Sequence, residues 1–316
     1  MTRWLPLAVV LGVCIGARAH ARVGPAGAPA EVPTGWKKPV RAVAIDPAGR
    51  FLAAGGDSKQ LLLYDLPKRR TLWVSSTQGP VTALAFSPDG KLLALGWQGR
   101  EVDLLSVSSG RILRRVRGLK GWPRSLVFSP DGKVLAVAGQ SQQIVLVDPA
   151  TAKVRRVLAG HTSWVNDVAF SPDGRRVAGA GWDHAVRVWD AASGKLLQSA
   201  FGHRFAVNSV VFTADGKHLI STSDDQFLRV WNASSGLAVK RVRGPGIICL
   251  ALARKAAVLV GGTYRGRLLY LQPDKLQPGR VIQAHRGQLF AVAVSSSGRL
   301  VATGGRDGKV KLWRVK

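Results

Sequence analysis

The sequence has almost no cysteine, little glutamate and only one long apolar run, and each shortage excludes something. Cys14 and Cys249 are the two cysteines among 316 residues, too few for the disulfide framework of a small secreted scaffold. Glutamate stands only at Glu31 and Glu101, and nearly all the aspartates fall in turns or corners. No nucleophile and base stand out from that distribution. The histidines are His20, His161, His184, His203, His218 and His285, and no two are set at metal-ligand spacing. A phosphate-binding loop is also missing. The expectation is therefore no catalytic residue, no metal and no cofactor.

The single apolar run, Trp4 to Ala17, is shorter than the ~20 residues of a membrane span. Arg3 precedes it, and Ala19-His20-Ala21 follows with small residues at the two positions a signal peptidase reads. Residues 1–21 thus read as an export signal, with Arg22 as the first mature residue and an extracytoplasmic location, periplasmic or secreted. An uncleaved anchor is the alternative. A lipid anchor on Cys14 is opposed by the size of Val13. Cleavage leaves Cys249 as a lone thiol in the run Ile247 to Leu252, where it behaves as a small hydrophobe. Residues 22–28 read as a flexible linker rich in Ala, Gly and Pro.

What is abundant is repetition. In Gly160 to Asp190, a strand from Val165 to Phe170 is followed by Ser171-Pro172-Asp173-Gly174. Pro presets φ in that turn, Asp bonds its own backbone and Gly takes the left-handed position. A second strand runs from Arg176 to Gly181, Asp183-His184 make a corner, and Val186 to Trp189 form a third strand. A more polar fourth follows at Leu196 to Ala200. Four short antiparallel strands in ~40 residues make one blade of a β-propeller. Counterparts of Phe170 recur at Ile45, Phe86, Phe128, Phe212, Leu252 and Val294, at steps of 41, 42, 42, 42, 40 and 42. The chain is thus all-β, with residues 29–316 as a seven-bladed propeller. Only the sixth copy, at Ala253-Arg254-Lys255-Ala256, has lost the hairpin turn.

On Gly160-His161, Gly202-His203, the corner residues Asp183, Asp225 and Asp307, and the closing Trp189-Asp190, Trp231-Asn232 and Trp313, the chain resembles the WD-repeat family over residues 36–316. The resemblance implies a buried His, Ser or Thr, Asp and Trp network in each blade. The set is complete only as His203, Ser221, Asp225 and Trp231, and as His285, Thr303, Asp307 and Trp313. Blade four has Gly179 at the hydroxyl position. Blades one, two, three and six carry Trp36, Thr77, Leu119 and Arg243 at the His position, so they are expected to rely on apolar packing. The sequence stops at Lys316, just after the third strand of blade seven. Because an open sheet edge invites association, the segment Pro29 to Thr34 is expected to pair beside residues 310–315 and close the ring.

The net charge is +28, and +26 without Arg3 and Arg18, which suits anionic partners or surfaces. Clusters at Lys68-Arg69-Arg70, Arg114-Arg115, Arg155-Arg156 and Lys240-Arg241 lie in or beside fourth strands, where Lys and Arg blunt exposed edges. A second set, including Arg124 and Arg306, shares one face of corner loops with Trp122, Trp164, Trp182, Tyr264 and Phe290. Aromatics and Arg anchor recognition surfaces, although rings packed between blades would explain the same residues. The reading is a monomeric, exported, non-enzymatic platform that binds a protein partner on that face. Alternatives are a binder of an anionic polymer, nucleic acid or acidic envelope polysaccharide, and an enzyme with its site at the channel.

Overall fold

The computed structural model describes residues 29–253, 257–272 and 276–315. The expected signal at 1–21, the linker at 22–28 and the lost turn at 254–256 lie outside the described residues.

The chain forms seven four-stranded antiparallel sheets, each with its strands in sequence order from the centre outward, apart from the one that holds the two ends of the described chain. Blade four shows the local logic. Val165–Phe170, Arg176–Gly181, Val186–Asp190 and Leu196–Ala200 are its inner to outer strands. The Ser171 hydroxyl donates to Asp173 and accepts from the Arg176 N–H at 2.9 Å, which locks the first turn. Glycines 49, 90, 132, 174, 216 and 298 hold φ between 69 and 73° at this turn, a conformation costly for any residue with a Cβ.

The core is divided into seven apolar clusters, one at each interface between neighbouring blades. The alternation of the pleat makes this possible. In blade one, Leu61 and Leu63 pack toward blade two, while Leu62 and Tyr64 pack toward blade seven. Both faces of the second strands are therefore buried along almost their whole length, whereas innermost strands such as Leu289–Val294 are half-buried where they border the channel. Outer strands such as Val154–Leu158 stay exposed along most of their length.

Blade seven takes its outer strand from the other end of the chain. Ala30–Val32 pairs antiparallel with Val310–Arg314, Ala30 opposite Leu312 and Val32 opposite Val310. Val32 is buried in the cluster shared with blade one, and Glu31 reaches Lys309 Nζ at 2.9 Å. The expected closure is thus present in the expected place.

Removing residues 29–35 in addition to 1–28 should expose the Val310–Arg314 edge and lower the melting temperature or cause association. Thermal melts and light scattering, against a chain beginning at residue 29, decide this. Equal behaviour of the two truncations would show that the ring does not need the strand.

Candidate binding face

The loops of one face are tied together from below by side chains inside the blades. In blade five the Trp231 indole N–H donates to Ser221 Oγ at 2.8 Å, and Ser221 Oγ lies 2.8 Å from His203 Nε2. His203 Nδ1 is 2.9 Å from Asp225, whose carboxylate also accepts the Arg204 N–H. This chain links the third strand, through the second, to the loop that enters the first. Blade seven repeats it with Trp313, Thr303, His285 and Asp307.

The incomplete blades hold themselves differently. At Gly179 a Cβ would meet His161 Nε2 at 2.9 Å and Ile144 at 2.8 Å, so blade four has no room for the hydroxyl without a shift. Trp189 donates instead to Ala159 O at 2.8 Å, His161 Nε2 has no partner among the described residues, and Arg187 adds a charge to the His161–Asp183 pair. Apolar packing is only part of the answer in blades one and two. Arg41 makes a bidentate pair with Asp57 at 2.5 and 2.9 Å, and Arg115 pairs with Asp103 at 2.5 Å and Glu101 at 3.3 Å. Such paired, hydrogen-bonded charges are what a partly buried site tolerates. Trp36, at the His position of blade one, donates its indole N–H to Gln60 at 2.6 Å. In blade three Leu119 is buried, whereas Arg243 of blade six is exposed.

On this fixed base the aromatic rings face solvent. Trp122 and Trp164 are each 39% exposed, Trp182 46% and Tyr264 49%. Trp164 and Trp182 contact each other, with centroids 5.1 Å apart and planes tilted by 50°. Phe290 departs from this group. It is half-buried at the channel beneath the Arg41 guanidinium, 4.9 Å from its ring centre. Phe201 and Phe205, at 67% and 58% exposed, flank Gly202-His203 and were not singled out by sequence, although their place beside that motif was a usable signal.

Charge on the face is one-sided. Asp57, Asp183, Asp225 and Asp307 are each held by an Arg or His of their own blade, and Asp224 accepts from Asn208 and Tyr264. Arg204, Arg265, Arg286 and Arg306 are exposed and have no ion pair among the described residues. On the rim, by contrast, Arg155 pairs with Asp148 at 2.6 Å and Arg156 donates to Ala192 O.

Every inner strand carries a bulge, and the residue it leaves unpaired lies at the channel mouth. The seven are Arg41, Thr82, Arg124, Asn166, Asn208, Ile248 and Phe290. A bulge re-aims a side chain in this way. Just below the mouth, Asp167 accepts from Ser125 Oγ at 2.7 Å and Ser209 Oγ at 2.6 Å, and from the N–H groups of Val168 and Val210. It stitches blades three, four and five together. Asp167 touches the lumen but is enclosed by the channel wall, and this desolvation keeps its carboxyl above the usual range despite four hydrogen bonds. Burial likewise pushes the Cys249 thiol up to about 12, so it is not a nucleophile at neutral pH. The described residues include no group of three or more His, Cys, Asp or Glu that could hold a metal.

Comparison with known families gives two matches. The model described as WD domain, G-beta repeat matches residues 28–65, 152–190, 194–232 and 276–314. The Anaphase-promoting complex subunit 4 WD40 domain model matches residues 57–122. No curated protein matches the chain. The repeat matches at 152–190, 194–232 and 276–314 each begin at or near the outer strand of one blade and end on the third strand of the next. These blades, four, five and seven, are the ones that keep the His–Asp pair.

The network predicts a pH response. Burial lowers the imidazole pKa of His203 and of His285 below the ordinary 6.5, and the Asp partners offset this only in part. Burial works against the charges of Asp225 and Asp307, but hydrogen bonds from the His and from backbone N–H groups outweigh it and hold both below 3.8. The two histidines therefore add stability that is full above pH 6.5 and falls away as the unfolded chain takes up protons below it. The carboxylates add stability that is full above 3.8 and is lost as the pH falls through their folded values. Asp167, shifted upward, has the opposite sign. The melting temperature of the native chain relative to a His203→Gln, His285→Gln variant should hence decline from about pH 6.5 to about pH 5. A constant difference across that range would overturn the assignment of neutral, buried imidazoles.

Proposed function

The chain belongs to the WD-repeat family of β-propellers, and from that premise we propose that it is an exported, non-enzymatic platform that holds a protein partner on its corner-loop face. WD repeats generally mediate protein–protein interaction and scaffolding. The observation that carries the reading is the exposed Trp164–Trp182 pair. Tryptophan rings left this exposed and outside the apolar clusters between blades add little to the core, and large, stiff aromatic surface at low entropic cost is what interface anchors use. The His–Asp networks beneath supply the rigidity that limits the ordering cost of binding.

Export rests on residues 1–21, in which a short apolar run leads to Ala19-His20-Ala21. The ring closes on itself with its outer strands blunted by Lys and Arg, which fits a monomer. N-terminal sequencing of protein recovered outside the cytoplasm should read from Arg22. Intact Met1 in the soluble cytoplasmic fraction would defeat this part of the proposal.

With a partner purified from the native source, Trp164→Ala or Trp182→Ala should weaken binding at least ~10-fold, each anchor carrying ~2 kcal/mol or more. Stability should change little. Arg155→Ala with Arg156→Ala on the rim should cost much less, because those side chains are engaged with Asp148 and Ala192.

A second reading, an anionic polymer such as nucleic acid or acidic polysaccharide, draws on the unpaired cations of the face. It has its own signature. Affinity for a polyanion falls steeply with salt, and the rim arginines would then matter as much as the tryptophans.

A further inference from the structure

We propose that the channel mouth is a receptor for a single carboxylate, an Asp or Glu side chain of the bound partner, with Arg124 as the group that takes it. The inference deepens the platform reading and rests on it.

The bulge between Pro123 and Ser125 turns Arg124 into the mouth of a cavity of about 410 Å³ at the channel. Its guanidinium makes no hydrogen bond or ion pair among the described residues. Its cationic neighbour Arg41 already has a counter-ion in Asp57. Tyr264, which also lines the cavity, gives its hydroxyl to Asp224 at 2.9 Å. Arg124 is exposed to solvent at the mouth. Partial desolvation by the surrounding channel wall, together with repulsion from Arg41, lowers its pKa from the ordinary value. An accessible, unpaired guanidinium beside a like charge is placed to take up an incoming anion.

The neighbouring Asn166 is buried, donates its amide N–H to Val207 O at 2.9 Å and is closed off from a ligand. The free donor fork of Arg124 therefore stands alone at the mouth, and it matches one acidic side chain of the partner. Two acids in the same region set the valence. Asp167 in the cavity wall and Asp224 beside Tyr264 would repel a run of phosphates or a string of carboxylates. They tolerate one monoanion held by a bidentate Arg. The volume also suits one or two side chains rather than a polymer backbone.

The test uses two blocked peptides, acetyl-Leu-Glu-Leu-amide and acetyl-Leu-Gln-Leu-amide, titrated by NMR into the full chain. The Glu peptide should saturate one site and bind at least roughly tenfold tighter than the Gln peptide, as expected for a charge-assisted contact. Arg124→Gln should abolish that difference without lowering the melting temperature, since it removes an unpaired charge. Arg155→Gln on the rim should preserve the difference. No saturation by about 10 mM, an undiminished difference in Arg124→Gln, or equally tight, Arg124-dependent binding of inorganic phosphate would each overturn the proposal. Partner binding separates this from the platform reading. If Trp164→Ala weakens the partner while Arg124→Gln changes neither partner nor peptide binding, the platform stands and the carboxylate site falls.

Discussion

Each sheet of this protein has two apolar faces and can bury them only against other sheets. That constraint generates the ring. A blade packed on one neighbour would leave its second face in water, at roughly 25 cal/mol for each Å² of apolar surface, and only a closed circle gives every blade two neighbours. Seven interface clusters follow, and so does the dependence on Val32, which seals the last cluster from the opposite end of the chain. The outer strands have no neighbour on their free edge, and it is there that charged residues alternate with exposed valines and leucines.

Once the ring is closed, the remaining polar groups divide by direction. Those that point between strands must be paired, and the Trp–Ser–His–Asp chain of blade five is the complete solution. Blade four shows what happens when one link is lost. Gly179 removes the hydroxyl, Trp189 turns to a backbone carbonyl, and a buried arginine joins the His–Asp pair. Those that point inward from the bulges line the channel, where water or a ligand can satisfy them. This division leaves the lower channel self-sufficient around Asp167 and the upper mouth with an unpaired guanidinium at Arg124. The face that a partner would meet is therefore stiff beneath, aromatic on one side and cationic where its own acids are already used.

The sequence alone determined the repeat, its seven copies, the strand boundaries of blade four and the need for an N-terminal strand to complete blade seven. These are local or periodic properties. A Pro-Asp-Gly turn, alternation within a strand and a step of about forty residues are all written in neighbouring positions. The residues of the two complete networks were also legible, because their spacing repeats from blade to blade. Only the tertiary structure decided exposure and partnership. Trp122, Trp164 and Trp182 could equally have been packed between blades as far as spacing shows, and Phe290 did turn inward beneath Arg41. The pairing of Arg41 with Asp57, and the absence of any partner for Arg124, depend on which bulged residues meet across the channel. Inner-strand residues that share the mouth are separated by multiples of about forty positions, and no local pattern records which of them touch. The distance that decides whether a charge is paired is set only when the ring closes.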